Sequence, residues 1–141
     1  MKRKASAIWT GDLKAGKGII STESGTLAKA PYSFTTRFEQ GNGTNPEELI
    51  AAAHAGCFSM AFSAQLGEAG IKPEKIETSA TATMEKTEKG WTVTEILLEV
   101  KAKVPGASPA ALEKAANDAK AGCPISRLLN AKITLQLSLE S

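Results

Sequence analysis

Cysteine is scarce in this chain, histidine scarcer, and neither sign of charge is in excess. Two cysteines, Cys57 and Cys123, and one histidine, His54, occur in 141 residues. Two thiols without CxxC spacing make a poor zinc site, so no metal is expected. The opening "MKRKASAIW" is basic but has no apolar run behind it. It does not read as a secretory signal, and a reducing, cytoplasmic location is expected. A permanent structural disulfide is disfavoured there, which leaves two inert thiols or a reactive pair that cycles. The 17 basic and 15 acidic residues nearly cancel, with no long basic face, so nucleic acid is not an expected partner. Internal repeats and low-complexity linkers are absent as well. One domain over residues 1–141, large enough for a sizeable core, is the expectation.

The longest apolar run, Leu49 to Leu66, raises the question of a membrane span. It is built mostly of Ala, Ser and Gly, with His54 and Gln65 inside it, and such a stretch inserts poorly. A buried helix of a soluble protein is expected instead, with no membrane partner. Its boundaries are well marked. Asn45 suits the N-cap, Pro46 the first helical position, and Glu47 and Glu48 the first turn, where the helix dipole favours negative charge. Gly70 offers a stop. The helix spans about 24 residues, roughly 36 Å, and carries no charge from Leu49 to Leu66 on any face.

Around this helix the pattern is that of strands and turns. "KASAIWTG", "GKGIISTESG" and "TLAKAPYSFTTRFE" read as strands, and "QGNGTN" as a loop. "IETSATATMEK" and "WTVTEILLEVKAKV" read as a hairpin about Lys89-Gly90. Ser108 and Pro109 open a second helix, "AALEKAANDAK", that closes at Gly122, and "GCPISRLLN" opens a short third one at Pro124. "KITLQLSLE" is a last strand. The fold class is α+β, with antiparallel sheets around a long, buried central helix.

Few residues could carry chemistry. Cys123 precedes a proline at a helix start, where main-chain amides stabilise a thiolate; a plain helix-to-helix corner explains the same residues equally well. Cys57 lies deep inside its helix, out of reach of that helix's own dipole, and most such cysteines are small core residues. His54, one turn earlier, makes a Cys–His nucleophile pair conceivable, although a hydrogen-bonded core histidine is the commoner case. Arg37 ends an apolar strand, solvated or turned inward. Glu47 needs no explanation beyond the helix start.

Together these residues resemble a family. "PYSFTTRFE", "GTNPEELIAAAHAGCFSMAF", "LGEAGI" and "AGCPISRLL" are similar, in this order, to the osmotically inducible and organic-hydroperoxide-resistance (OsmC/Ohr) thiol peroxidases. The resemblance covers nearly the whole chain and is strongest to the OsmC branch, whose helix carries "AAHA" before its cysteine. It implies that Cys57 is the peroxidatic cysteine, Cys123 the resolving one, Arg37 the arginine that holds the thiolate, and Glu47 the carboxylate that orients Arg37. It also implies an intertwined homodimer, an organic hydroperoxide as substrate and an external dithiol, of lipoyl type, as reductant. No metal, flavin or haem enters such a cycle. The long helix leads to the same assembly, since a helix uncharged for about five turns must be covered on every side. Two other readings remain open: an acyl transferase or hydrolase using Cys57 and His54, and a non-enzymatic dimer that binds a small apolar ligand. Consumption of one peroxide with loss of both thiols would support only the peroxidase.

Overall fold

Strand and turn signals in the N-terminal segment give a small three-stranded sheet. In this computed structural model, which describes residues 1–140, β1 (Ala5–Thr10), β2 (Lys17–Thr22) and β3 (Ala30–Tyr32) pair antiparallel in the order β1-β2-β3. Ser141, the last residue of the expected domain, lies outside the described residues. Gly18 faces Trp9 on one side and Tyr32 on the other. A Cβ there would run into both rings, so its absence lets Trp9 and Tyr32 meet at 5.5 Å between centroids. The chain divides into two units, and this sheet belongs to the first, Met1–Leu49; the second is Ile50–Ser141.

The stretch expected as a long third strand is mostly something else. Only Ala30–Tyr32 is extended, and a short helix, α1 (Phe34–Phe38), follows. Ser33 caps it: its hydroxyl accepts from the Thr36 N–H at 3.3 Å, and the Thr36 hydroxyl accepts from the Ser33 N–H at 2.8 Å. This reciprocal box closes a turn that alternation alone cannot reveal. The Phe34 and Phe38 rings, one turn apart, pack tilted to each other at 4.8 Å between centroids. Arg37 therefore stands in a helical turn, not at the end of a strand.

The long helix, α2 (Pro46–Glu68), begins as expected. Asn45 Oδ1 accepts from the Glu48 N–H at 2.8 Å, while Asn45 Nδ2 donates to the Thr36 carbonyl at 3.0 Å and so ties α1 to the helix start. At the other end Gly70 takes φ +73°, and the Ile71 N–H reaches back to the Leu66 carbonyl at 2.8 Å. Its burial differs from what an all-round apolar sequence suggests. His54, Phe58, Phe62 and Leu66 form one fully buried stripe, whereas Ala52, Ala53, Gly56 and Ala64 are exposed, and Met60 is 77% exposed. One chain covers one face of the helix.

In the second unit, β4 (Lys75–Thr87) and β5 (Gly90–Lys103) form the expected hairpin, turned at Gly90 with φ +110°. Then come α3 (Pro109–Gly122), α4 (Pro124–Leu128) and β6 (Lys132–Leu139). The sheet order is β4-β5-β6, and β6 runs parallel to β5, from Glu95↔Lys132 to Ala102↔Leu139. This departs from an all-antiparallel arrangement. A tight turn reverses a strand, but the passage through α3 and α4 is a crossover that brings β6 back in the direction of β5. The alternating inward residues of β5 (Ile96, Leu98, Val100, Ala102) meet the α2 stripe and Leu112, Ala115, Ala116 and Ala119 of α3 in one core.

Candidate active site

The four residues singled out by sequence come together as two pairs, one in each unit. In the first unit Arg37 and Glu47 form a side-on ion pair. Arg37 Nε donates to both Glu47 carboxylate oxygens, at 3.1 and 3.2 Å, and Nη2 donates to Oε1 at 2.7 Å. The Arg37 side chain keeps 38% of its surface exposed and Glu47 13%. The end of one helix and the start of another produce this geometry. Glu47 belongs to the first turn of α2, Arg37 to α1, and the Asn45–Thr36 bond fixes one turn against the other. The guanidinium also lies 5.5 Å over the Phe38 ring. Held by a fork of bonds on one edge and a ring on a face, it has its plane set.

The second unit brings the cysteines together. Both are free thiols; Cys123 is fully buried and Cys57 half-buried. The Cys57 sulfur shares a hydrogen bond with the Cys123 thiol and accepts one from the Ile125 main-chain N–H. Burial pushes the Cys57 pKa above its ordinary value, the Cys123 thiol adds to this, and the Ile125 amide pulls the other way. Burial wins, so this environment favours the protonated thiol over the thiolate.

At Cys123 the sequence leaves helix-start amides and a plain helix-to-helix corner equally open. Cys123 does end α3 and precede Pro124 of α4, but its side chain makes no capping bond. The first-turn amide that bonds a sulfur is Ile125, and the sulfur is that of Cys57. Cys57 lies too deep inside α2 for that helix's own dipole, and the amide that reaches it comes from another helix, α4.

His54 is buried, and its Nε2 lies 2.7 Å from the Ser126 hydroxyl; Nδ1 is buried with no hydrogen-bond partner. The interactions that shift Cys57 come from Cys123 and Ile125, and His54 is not among them. This is the core histidine expected as the commoner case rather than the base of a Cys–His pair. Sequence reasoning passed over Ser126. Its signal was its place one turn after Cys123, mirroring the place of His54 one turn before Cys57. No group of three or more His, Cys, Asp or Glu side chains able to hold a metal occurs among the described residues.

A family model described as OsmC-like protein matches residues 39–138. The chain is 51% identical over 139 residues to peroxiredoxin OsmC of Escherichia coli (strain K12), covering 99% of this chain and 97% of that one. It is 31% identical over 100 residues to an organic hydroperoxide resistance protein of Xanthomonas axonopodis pv. citri (strain 306), covering 70% of this chain and 68% of the other. The crystal structure of an OsmC-like protein from Mycoplasma pneumoniae superposes with a TM-score of 0.75 at 15% identity, over 100% of this chain and 99% of that one.

The buried imidazole sets a pH dependence. Burial lowers the His54 pKa below the ordinary 6.5. Above that value the ring is neutral in both folded and unfolded chains, and its titration contributes no slope. As pH falls below 6.5 the unfolded chain takes up a proton that the folded ring resists, and stability is lost until the folded pKa is passed. Urea midpoints of the wild-type protein should therefore decline on acidification from pH 7 to 5, and more steeply than those of His54→Gln. Equal slopes for the two proteins would refute this assignment.

Proposed function

Because this chain belongs to the OsmC-like protein family and is a cysteine-based peroxidase, we propose that it reduces organic hydroperoxides through Cys57, with Cys123 as the resolving thiol. The observation that carries this reading is that two free thiols 66 positions apart, one within α2 and one at the corner between α3 and α4, lie close enough to interact. In the proposed cycle the Cys57 thiolate attacks the terminal peroxide oxygen and the O–O bond breaks. The leaving alkoxide takes a proton to become an alcohol, and Cys57 becomes a sulfenic acid. The Cys123 sulfur then attacks the Cys57 sulfur, water departs, and a disulfide forms before a second peroxide can arrive. An external dithiol, of lipoyl type, returns both thiols by exchange. The sulfur is oxidised and the peroxide reduced by the same electron pair, so the cycle itself needs no further redox group.

Arg37 is the proposed activator. A thiol held neutral by burial needs a cation to ionise it, and a guanidinium supplies one that does not itself titrate. The same group can donate to the peroxide as negative charge develops on the departing oxygen. Glu47 is proposed to fix the guanidinium plane, consistent with the side-on ion pair. The apolar character of α2 favours alkyl hydroperoxides over hydrogen peroxide, which gains little from leaving water.

The proposed assembly is an intertwined homodimer in the cytoplasm. By length and composition α2 could cross a membrane. However, its uncovered face is a row of small residues around Met60, which suits close approach by another protein element better than lipid. Every residue of β1 is exposed too, with Ile8 at 61%. A second copy covering these surfaces would bury more than roughly 2,000 Å² in total, the range of obligate dimers.

Three outcomes test this reading. Cys57→Ser should lose peroxide turnover with its fold intact, while Cys123→Ser should complete one turnover and then accumulate sulfinic acid on Cys57. Mass spectrometry after one equivalent of peroxide decides, and oxidation found first on Cys123 would reverse the roles. Arg37→Lys keeps the charge but not the planar fork, so kcat/KM for an alkyl hydroperoxide should fall on the order of a hundredfold; unchanged turnover would remove Arg37 from the mechanism. Met60→Glu should disrupt the dimer in sedimentation, and the wild-type melting temperature should rise with protein concentration. A stable wild-type monomer at nanomolar concentration, or recovery of the protein with membranes, would rule out the proposed assembly.

A further inference from the structure

We infer that His54 is a positioning residue for the second half of the cycle: through Ser126 it holds the turn that carries Cys123 against Cys57 while the disulfide closes. The inference rests on the proposed roles of the two cysteines and adds to them a residue that touches neither reacting sulfur.

Three observations carry it. The first is registry. His54 lies one turn before Cys57 on α2, and Ser126 one turn after Cys123 on α4. The 2.7 Å bond between His54 Nε2 and the Ser126 hydroxyl therefore runs alongside the thiol pair, a second tie between the same two segments. The second is how little else holds α4. The helix has five residues and no side-chain bond at its N-cap, and Ser126 is its one buried residue. Pro124, Arg127 and Leu128 are exposed, Leu128 at 73%. The third is the cost of a histidine at this position. His54 heads a stripe continued by Phe58, Phe62 and Leu66, and an apolar side chain would complete that stripe. The imidazole instead leaves Nδ1 buried with no hydrogen-bond partner, an arrangement that packing alone disfavours.

The chemistry gives this tie a purpose. Before oxidation the Cys57–Cys123 hydrogen bond helps to hold the two segments together. Once Cys57 is a sulfenic acid, that bond is gone in its original form, at the moment when approach matters most. A disulfide requires Cβ atoms about 3.5–4.5 Å apart and a narrow dihedral range. The His54–Ser126 bond involves no atom that reacts, so it persists through peroxide attack, closure and reduction. Closure itself is balanced: Cys123 loses its thiol proton, the S–S bond forms, and the sulfenic hydroxyl leaves with that proton as water. Any delay exposes the sulfenic acid to a second peroxide and to the sulfinic state.

The test compares wild-type protein with Ser126→Ala, His54→Leu and His54→Gln after rapid mixing with cumene hydroperoxide. Formation of the Cys57 sulfenic acid and of the disulfide are followed separately, and the sulfinic share is read by mass spectrometry at excess peroxide. In Ser126→Ala and His54→Leu the ratio of closure rate to Cys57 oxidation rate should fall about tenfold, the usual effect of losing one buried hydrogen bond. The sulfinic share should rise in proportion. His54→Gln, whose amide can still reach Ser126, should recover most of the ratio. His54→Leu is the diagnostic variant, because filling the apolar stripe should raise the urea midpoint while closure slows. A residue with only a packing role would move stability and closure together. An unchanged ratio and sulfinic share in both Ser126→Ala and His54→Leu would overturn the inference alone. Failure of the wild-type protein to form a Cys57–Cys123 disulfide would instead overturn the peroxidase roles on which it rests.

Discussion

The contact between the Cys57 and Cys123 sulfurs sets what the second unit must do. It requires a long helix to present one thiol part-way along its length and a sharp corner between two helices to present the other. Gly122 and Pro124 make that corner, with Cys123 between them as the C-cap of one helix and the N-cap of the next. The corner in turn needs α3 to be anchored, which Leu112, Ala115, Ala116 and Ala119 do by entering the core beneath β5. The parallel placement of β6 is a consequence, because the chain leaves β5, crosses through both helices and returns on the same heading.

The same contact creates an electrostatic conflict. Burial and a neighbouring thiol both favour neutral Cys57, and a single amide opposes them. Neutral Cys57 favours the fold: its folded pKa lies above the unfolded one, so its contribution is complete at pH below the unfolded pKa and lost as pH rises through the folded pKa. The reactive form is thus the form the second unit stabilises less well. Arg37 is assembled independently, from the end of α1 and the start of α2 in the first unit, with its own carboxylate and its own aromatic ring. Such a cation is already ordered before any thiolate exists. On the proposed reading, activation costs little reorganisation because the guanidinium plane is fixed in advance.

How legible all this was depends on the range of the interaction involved. The cap of Asn45, the glutamates of the first turn, the stop at Gly70 and the corner at Cys123 are local, and the structure realises each of them. α1 was missed because the alternation of Tyr32 and Phe34 was carried on through Phe38, although Phe34 and Phe38 stand four apart; the box between Ser33 and Thr36 uses a threonine where a Glu or Gln is the familiar partner. The direction of β6 has no local signal, being set by the crossover before it. The thiol pair entered through family resemblance, since no pattern within one helix can say which residue of a distant turn lies opposite. Ser126 escaped for that reason, and so did the Ile125 amide. Both act across elements, through a hydroxyl and a main-chain N–H that composition does not distinguish from any other.

The central helix shows where sequence and single chain part. Its lack of charge on every face led to the expectation of cover all round, whereas the single chain covers one face only. The chain supplies cover for the stripe from His54 to Leu66 and leaves the Met60 side bare. Alanine and glycine dominate that bare side, and small residues contribute little hydrophobic energy per position while permitting close backbone approach. They suit a tightly fitting, extensive contact better than a small adhesive patch. On the proposed reading, a monomer would hold the peroxidatic Cys57 on a helix only half supported. On the same reading, a dimer contact that completes the helix would also further screen the half-buried Cys57 from bulk water, so that assembly and reactivity would become one requirement.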